Sequence, residues 1–346
     1  MKMRENVPIA SLTTMRLGAA ARYVAEIETL DDLRDAYAFA AQRGLATYIL
    51  GEGSNVIGRD EGFDGVILLN RLQGIADLGD GRFKGQSGEI FDNFVAFTVE
   101  RGYSGMEAMS AVPGTLGAAP VQNVGAYGQE MSEVLESVEV YDPQSGESSS
   151  AGQTSANRGG NVVKFTTPEM KLGYRHSIFN NGPDAGRYFI LSVTVKLQPG
   201  AAMQPPFYTS LQQYIDSHGV TDFSPASIRR MVTEIRADKL PDPKLQPSAG
   251  SFFKNIYLGP EEAKQAQAKG IPVWDGGKVP AGWLIEQAGL KGKELYGFKV
   301  SDKAALILVN SSATSYADLA RARQAIIDAV HDKFGLQLEQ EPVEIT

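Results

Sequence analysis

The stretch with the clearest chemistry runs from Pro113 to Gly128, PGTLGAAPVQNVGAYG, with four glycines, three alanines and no charged side chain among its sixteen residues. Small residues at this density let backbone approach a bound group closely, and glycine reaches positive φ where other residues clash. What such a run offers is peptide N–H groups. A row of them in a tight turn makes an anion-binding concavity, so a pyrophosphate can be held without lysine or arginine. On composition alone the run would also serve as a packed connector. A second loop of the same kind weighs against that: Gly51-Glu52-Gly53-Ser54-Asn55-Val56 follows the apolar run Ala46 to Leu50, which reads as a short buried strand. It is not the Rossmann fingerprint, because Val56 stands where the third small residue is needed, and no Gly-Lys-Ser/Thr follows to make a P-loop. Two glycine turns in separate parts of the chain read as a dinucleotide gripped from two sides.

Several polar side chains have the character to work beside such a ligand. Arg175, in Gly173-Tyr174-Arg175-His176, carries a permanent bidentate cation suited to a carboxylate. Ser251 lies between Gly250 and Phe252-Phe253, where a hydroxyl in an apolar setting can pass a proton. Glu339 and Glu341 bracket Gln340 just before Pro342. Lys239 closes a helical pattern, and Tyr208 sits in a proline-flanked loop. Taken singly, each also reads as an ordinary surface arginine, turn serine, solvated acid or linker aromatic. A serine-histidine triad is not indicated, since only His176, His218 and His331 exist and none heads a recognisable partner motif.

The elements that must position these residues are of mixed type. Leu33, Ala36, Tyr37 and Ala40 form the stripe of an amphipathic helix over Leu30–Gly44, followed by strands at 46–50 and 66–69. A helix is expected near 89–101 and a strand at 138–141. Another strand is expected at 189–197, with Leu191, Val193 and Val195 on one face. Gln144–Asn161, rich in Ser, Gly and Asn, reads as a solvated excursion, and Pro199–Pro206 as an inter-domain linker. Ser224 and Pro225 open a helix closed by Lys239-Leu240-Pro241. The remainder holds a strand at 304–309, a helix over 315–334 and an extended segment at 336–345. The division expected is 1–70, 71–203 and 204–346, three lobes of an α+β protein. Length agrees, since 346 residues exceed one ordinary core.

A net charge of −8 argues against nucleic acid as partner, and the absence of cysteine removes disulfides, thiolate metal sites and dithiol redox chemistry. Any redox work needs a bound cofactor, and no metal is expected. The opening MKMRENVPIA lacks the apolar core of a signal peptide, and no apolar run reaches about eighteen residues, so a cytoplasmic location without membrane insertion is expected.

GEGSNV, the PGTLGAAPVQNVGAYG loop, GYRHSIF at 173–179, KLPDP at 239–243, GSFFKN at 250–255 and AGWLIEQAGLKG at 281–292 resemble, in order and spacing, the UDP-N-acetylenolpyruvoylglucosamine reductases. The segment bearing Tyr208 is similar to the longer of that family's two architectural types. The resemblance implies a two-lobed FAD-binding domain of the vanillyl-alcohol-oxidase/PCMH type followed by a smaller α+β substrate-binding domain, whose closing residues return to the active site. It implies non-covalent FAD, NADPH as hydride donor, a sugar-nucleotide substrate in peptidoglycan precursor synthesis, and a monomer. For FAD it implies Gly51, Gly53, Ser54, Asn55 and Val56 from the first turn. From the second turn it implies Pro113, Gly114, Thr115, Gly117, Ala118, Gln122, Asn123, Gly125, Ala126, Tyr127 and Gly128. It implies Arg175 as stabiliser of an enolate-like intermediate, Ser251 as proton donor and Glu341 as the catalytic glutamate, with Glu339 a competitor. Tyr174, Tyr208, Lys239, Asn255 and Gln287 are implied for the substrate. His176 departs from the Asp common after the arginine, which bears on how Arg175 is oriented. Two other readings remain open: a flavin oxidase of the same superfamily acting on an alcohol or sugar, and a non-catalytic flavin- or nucleotide-binding module. A covalent flavin tether in the first turn is excluded, because no Cys exists and no His precedes residue 176.

Overall fold

The computed structural model describes residues 1–145 and 160–346, so most of the excursion expected over 144–161 lies outside the described residues. By its contacts the chain divides into two units. The first is Met1–Asn6, Arg22–Glu52 and Asp64–Asp238; the second is Val7–Ala21, Gly53–Phe63 and Lys239–Thr346.

In the first unit the helix Leu30–Arg43 forms where its stripe predicted. Thr29 and Asp32 exchange capping hydrogen bonds of 3.1 and 3.0 Å, and Gly44 ends the helix in the left-handed region at φ 61°. Its buried Leu33, Ala36 and Ala40 pack on a four-stranded sheet in the order Lys2–Pro8, Ala20–Ile27, Phe63–Asn70, Ala46–Leu50. Ala46–Leu50 runs parallel to Phe63–Asn70, and this pairing brings the end of the strand to Gly51. A second layer is a five-stranded antiparallel sheet, Asn161–Thr166, Leu135–Asp142, Phe189–Lys196, Arg82–Gln86, Ile75–Gly79. The helix Phe91–Glu100 shares its core, through Phe91, Phe94, Val95 and Val99.

One strand face differs from expectation. Val193 pairs with Val138 and Ser192 with Glu139, but Ile190 pairs with Val140, so Leu191 is the extra residue of a bulge. As a result Leu191 joins Phe189 and Tyr141 in the core under Leu30–Arg43, while Val193 and Val195 pack in the other core with Phe83 and Phe94.

The helices Thr209–His218 and Pro225–Lys239 were expected to begin a C-terminal lobe at 204. Their apolar faces, Leu211 and Ile215 on one and Ile228, Met231, Val232 and Ile235 on the other, instead close on Ala108 of the first unit.

The second unit is built on a sheet ordered Ser248–Ser251, Ile307–Asn310, Phe298–Val300, Glu294–Leu295. The helices Ala281–Gln287 and Tyr316–Phe334 supply Leu284, Ile285, Leu319, Ala322 and Ile326 to its core, which also takes Met15, Leu17 and Ile57 from early in the chain. Val343–Ile345 pairs in parallel with Val56–Gly58. Among the described residues no helix is long and apolar enough to cross a membrane.

Candidate active site

In the first unit, Pro113–Gly128 is stitched to its neighbours by backbone. Leu116 N–H donates to Glu89 and Gly117 N–H to Ser87, both at 2.8 Å, while Phe91 N–H donates to the Gly114 carbonyl at 3.0 Å. Ala118, Ala119, Asn123 and Val124 donate to carbonyls within the run. The cradle available to an anion is therefore narrower than the glycine content suggested, because much of the run closes on itself. Two of its glycine contacts are steric requirements. A Cβ on Gly117 would lie 2.5 Å from Cβ of Ser87, and one on Gly51 would lie 2.5 Å from Oγ1 of Thr115. Gly51 and the second turn therefore meet at a distance only glycine allows. At Gly128, φ 90°, nothing lies within 4 Å of where a Cβ would stand, so backbone is exposed on that side.

Polar side chains fix the shape of this run. Asn123, left-handed at φ 43° and buried, accepts from Ser132 N–H at 2.9 Å and donates to Glu130 at 3.0 Å. At the entrance stands Ala111, also left-handed at φ 58°. Asp92 Oδ1 accepts its N–H at 2.6 Å, and Arg236 Nε donates to its carbonyl at 3.2 Å. Arg229 clamps Asp92 with two hydrogen bonds of 2.5 and 3.0 Å. Burial alone would push the Asp92 carboxyl up, but Arg229 and the Ala111 N–H outweigh it and hold the carboxyl below its ordinary range. Burial pulls the Arg236 guanidinium down, against the opposing pull of Tyr127 and Asp92. Tyr127, at φ 49°, lies beside Arg236 and meets the Tyr208 ring edge-on at 5.6 Å. The sequence reading missed Asp92, Arg229 and Arg236; the one signal was the seven-residue spacing of two arginines on one helix, which aligns them on a face.

Arg175 occupies the tip of a two-residue hairpin. Gly173 and His176 exchange backbone hydrogen bonds of 3.0 and 3.1 Å, and Arg175 between them is left-handed at φ 53°. Asn180 holds the tip by donating to the Arg175 carbonyl at 3.1 Å and accepting from Ser177 N–H at 2.9 Å. The Ser177 hydroxyl donates to Val121 at 2.7 Å, tying this hairpin to the glycine-rich run. The guanidinium carbon lies 5.5 Å from the Tyr174 ring centre. His176 contributes its backbone to the hairpin, while its Nδ1 faces the Asn181 amide at 3.1 Å.

In the second unit, Gly53 takes φ 66°, and a Cβ there would fall 2.0 Å from the Leu12 carbonyl oxygen. Its own carbonyl accepts from Thr14 N–H at 3.0 Å. Asn55 accepts from Val343 N–H at 3.0 Å, so the first turn runs into the strand pair that carries residues 343–345. Ser251 follows Gly250, φ 68°, at a bulge against Ile307–Asn310; it is half-buried, and among the described residues its hydroxyl makes no hydrogen bond. Phe252 and Phe253 behind it are buried.

The two glutamates differ in exposure. Lys254 N–H donates to the Glu339 carbonyl at 2.8 Å, Phe253 bridges Gln340, and Glu341 N–H donates to Phe252 at 2.9 Å, one residue from Ser251. Glu339 is 73% exposed and ion-paired with Lys254, whereas Glu341 is half-buried. Of the residues expected at the substrate, Asn255 accepts from Ala281 N–H at 3.1 Å at the start of Ala281–Gln287. Gln287 ends that helix exposed, with its carbonyl taken by Lys333. Lys239 is exposed at the end of its helix, and Tyr208 is 39% exposed before Thr209–His218.

Comparison with known proteins agrees with this architecture. Residues 21–152 match the family described as FAD binding domain, and residues 242–345 the C-terminal domain of UDP-N-acetylenolpyruvoylglucosamine reductase. The reductase of Pseudomonas aeruginosa is 32% identical over 99% of this chain and 98% of its own length; that of Ralstonia nicotianae is 35% identical over 98% of each. The crystal structure of the Thermus caldophilus enzyme superposes with a TM-score of 0.63 at 23% identity, covering 99% of this chain and 100% of that one, which shows a shared fold. With full-length relatives above 30% identity and both halves matched, this chain belongs to the UDP-N-acetylenolpyruvoylglucosamine reductase family.

Proposed function

We propose that this chain catalyses the reaction for which its family is named, the NADPH-dependent, FAD-mediated reduction of the enolpyruvyl ether of UDP-N-acetylglucosamine to the lactyl ether of UDP-N-acetylmuramate. The observation that supports the reading is that Gly51 approaches the second glycine-rich turn closely enough that an added Cβ would lie 2.5 Å from Thr115 Oγ1, while Gly128 leaves backbone open. Gly51 and Gly53–Val56, with Pro113–Thr115, Gly117, Ala118, Gln122, Asn123 and Gly125–Gly128, are the residues that would hold FAD. Bound there, FAD would supply hydride transfer from NADPH to the substrate's methylene carbon.

The remaining chemistry falls to this chain's own side chains. Hydride addition leaves negative charge on the carbon bearing the carboxylate, and Arg175 would bind that carboxylate through its paired N–H groups and stabilise the growing charge. The Ser251 hydroxyl would donate the proton that completes the lactyl group; being uncommitted, it is able to turn toward substrate. Glu341, half-buried where Glu339 is exposed, would act as the acid that hydrogen-bonds the reacting group. Tyr174, Tyr208, Lys239, Asn255 and Gln287 would bind the sugar nucleotide, with the Lys239 ammonium against its diphosphate. A monomer acting in the cytoplasm completes the proposal.

The test is a pair of half-reactions on protein reconstituted with FAD. NADPH should bleach the flavin, and UDP-N-acetylglucosamine enolpyruvate should restore its absorption in one turnover. A protein that takes up no FAD, or whose reduced flavin is reoxidised only by oxygen, defeats the assignment.

A further inference from the structure

Between the first glycine turn and the Ser251 segment runs a short strand with little to hold its register. Residues 340–342 lie against Phe252–Phe253, and Val343–Ile345 lies against Val56–Gly58, so the strand links the two through Glu341 N–H to Phe252 and Val343 N–H to Asn55. Only three residue pairs, Val343 with Val56, Glu344 with Ile57 and Ile345 with Gly58, define its parallel part. A slip of one residue would turn every side chain to the opposite face, Glu341 included. Of the apolar side chains, Pro342 and Ile345 are buried but lie three residues apart, out of step with a strand's alternation, and Val343 between them is 44% exposed, so hydrophobic patterning resists a slip weakly.

A polar cluster supplies what the patterning lacks. Glu344 Oε1 accepts from Tyr316 Oη at 2.6 Å and from Arg323 Nη1 at 3.0 Å, and Oε2 lies 3.5 Å from Arg59 Nη1. The same Arg323 nitrogen donates to Gln340 Oε1 at 2.7 Å, and Gln340 Nε2 donates to the Pro342 carbonyl at 2.7 Å. Asp60, next to Arg59, accepts from Tyr316 and Ala317 N–H at 2.7 and 3.0 Å, which fixes the start of the helix Tyr316–Phe334 to the segment after the glycine turn. Arg323 thus grips the strand at two positions four residues apart, on either side of Glu341. The Glu344 side chain is only 20% exposed, so a neutral or absent partner there would leave a largely desolvated charge.

We infer that Arg323 and Glu344 are positioning residues that lock the register of this strand, and so set Glu341 beside Ser251 while holding the Asn55 carbonyl of the first glycine turn. The inference rests on the reading of Glu341 as a catalytic group, and the experiment keeps the two apart.

The variants are Glu344→Gln, Arg323→Met, Arg323→Lys and Glu341→Gln, with Glu344→Gln and Arg323→Met each also combined with Glu341→Gln, in the full chain loaded with FAD. Three quantities are read: flavin reduction by NADPH, reoxidation by the enolpyruvyl sugar nucleotide, and the FAD dissociation constant. Glu344→Gln and Arg323→Met should slow reoxidation at least tenfold and weaken FAD severalfold, with reduction by NADPH unchanged; Arg323→Lys, which keeps a bridging donor, should recover most of the rate. In the Glu341→Gln background neither change should slow reoxidation further, because the group they position is gone. If Glu341→Gln slows reoxidation and Glu344→Gln does not, or if the two effects multiply, the positioning role is refuted and the reading of Glu341 survives. If Glu341→Gln is silent, both fall. Should Glu344→Gln fail to fold, Arg323→Met against Arg323→Lys carries the same comparison.

Discussion

The clamp at the entrance of the glycine-rich run makes a quantitative prediction. Asp92 accepts two hydrogen bonds from Arg229 and one from the N–H of Ala111, and the two ion-pair side chains are 31% and 23% exposed. Opposite unit charges 4 Å apart attract by about 4 kcal/mol at an effective dielectric of ~20. Partial exposure places the pair between surface pairs worth about 0.2–1 kcal/mol and buried pairs whose breakage costs about 3–5 kcal/mol. Asp92→Ala should therefore destabilise by about 2 kcal/mol, part of it from the abandoned Ala111 N–H. Asp92→Asn keeps an acceptor for that N–H and should cost about half as much. Arg229→Ala should add less than about 0.5 kcal/mol once Asp92 is already Ala, since the interaction it removes no longer exists. Because the folded carboxyl titrates below its unfolded value of about 3.9, the ion pair's contribution is fully present above that value and is lost as pH falls through the lower folded one. The assay is urea denaturation followed by circular dichroism at pH 7 and at pH steps down to about 3, with FAD affinity measured alongside by quenching. A coupling below 0.5 kcal/mol at pH 7, one that does not shrink as acid is added, or an unchanged FAD affinity in Asp92→Ala would refute the argument that this clamp shapes the turn.

Two further outcomes follow from backbone and hydroxyl geometry. Arg175 is left-handed at φ 53°, a region where glycine is favoured, so Arg175→Gly should be more stable than Arg175→Ala by about 1 kcal/mol, the reverse of the usual order, while both lose turnover; thermal melts in which Ala outranks Gly would show that the hairpin tip relaxes on mutation. Ser251→Ala should cut turnover by about 10²-fold or more with flavin reduction by NADPH and the melting temperature unchanged, and a clear loss of stability would mean that the hydroxyl is structural.

The helices Leu30–Arg43, Pro225–Lys239 and Tyr316–Phe334 were legible because each carries its own stripe and its own cap, information that lies within one segment. The bulge at Leu191 was not, because strict alternation predicts one face and the slip arises only from pairing with Glu139 and Val140, some fifty residues away. The early segments Val7–Ala21 and Gly53–Phe63 join the C-terminal unit for a similar reason: Met15, Leu17 and Ile57 are apolar at any destination, and only the completed core shows which one they fill.

The site divides along the same line. Residue types were readable, since glycine density announces close backbone approach and a Gly-Ser-Phe-Phe setting announces a sheltered hydroxyl. Commitments were not. Which N–H groups of Pro113–Gly128 remain for a ligand depends on the carbonyls of Ser87 and Glu89, and which terminal glutamate forms the exposed ion pair depends on where Lys254 lies. Neither partner is marked by sequence, because carbonyls are universal and one lysine among many carries no address. A glycine run therefore marks where backbone packs closely, whereas local shape is set by residues distant in sequence: in the first unit Asp92 and Arg236 hold Ala111, and in the second Arg323 and Glu344 hold the segment that includes Glu341. Substitutions at these remote residues should alter binding and proton transfer without touching either ligand, and this separates a site shaped by its supports from one defined only by its contacts.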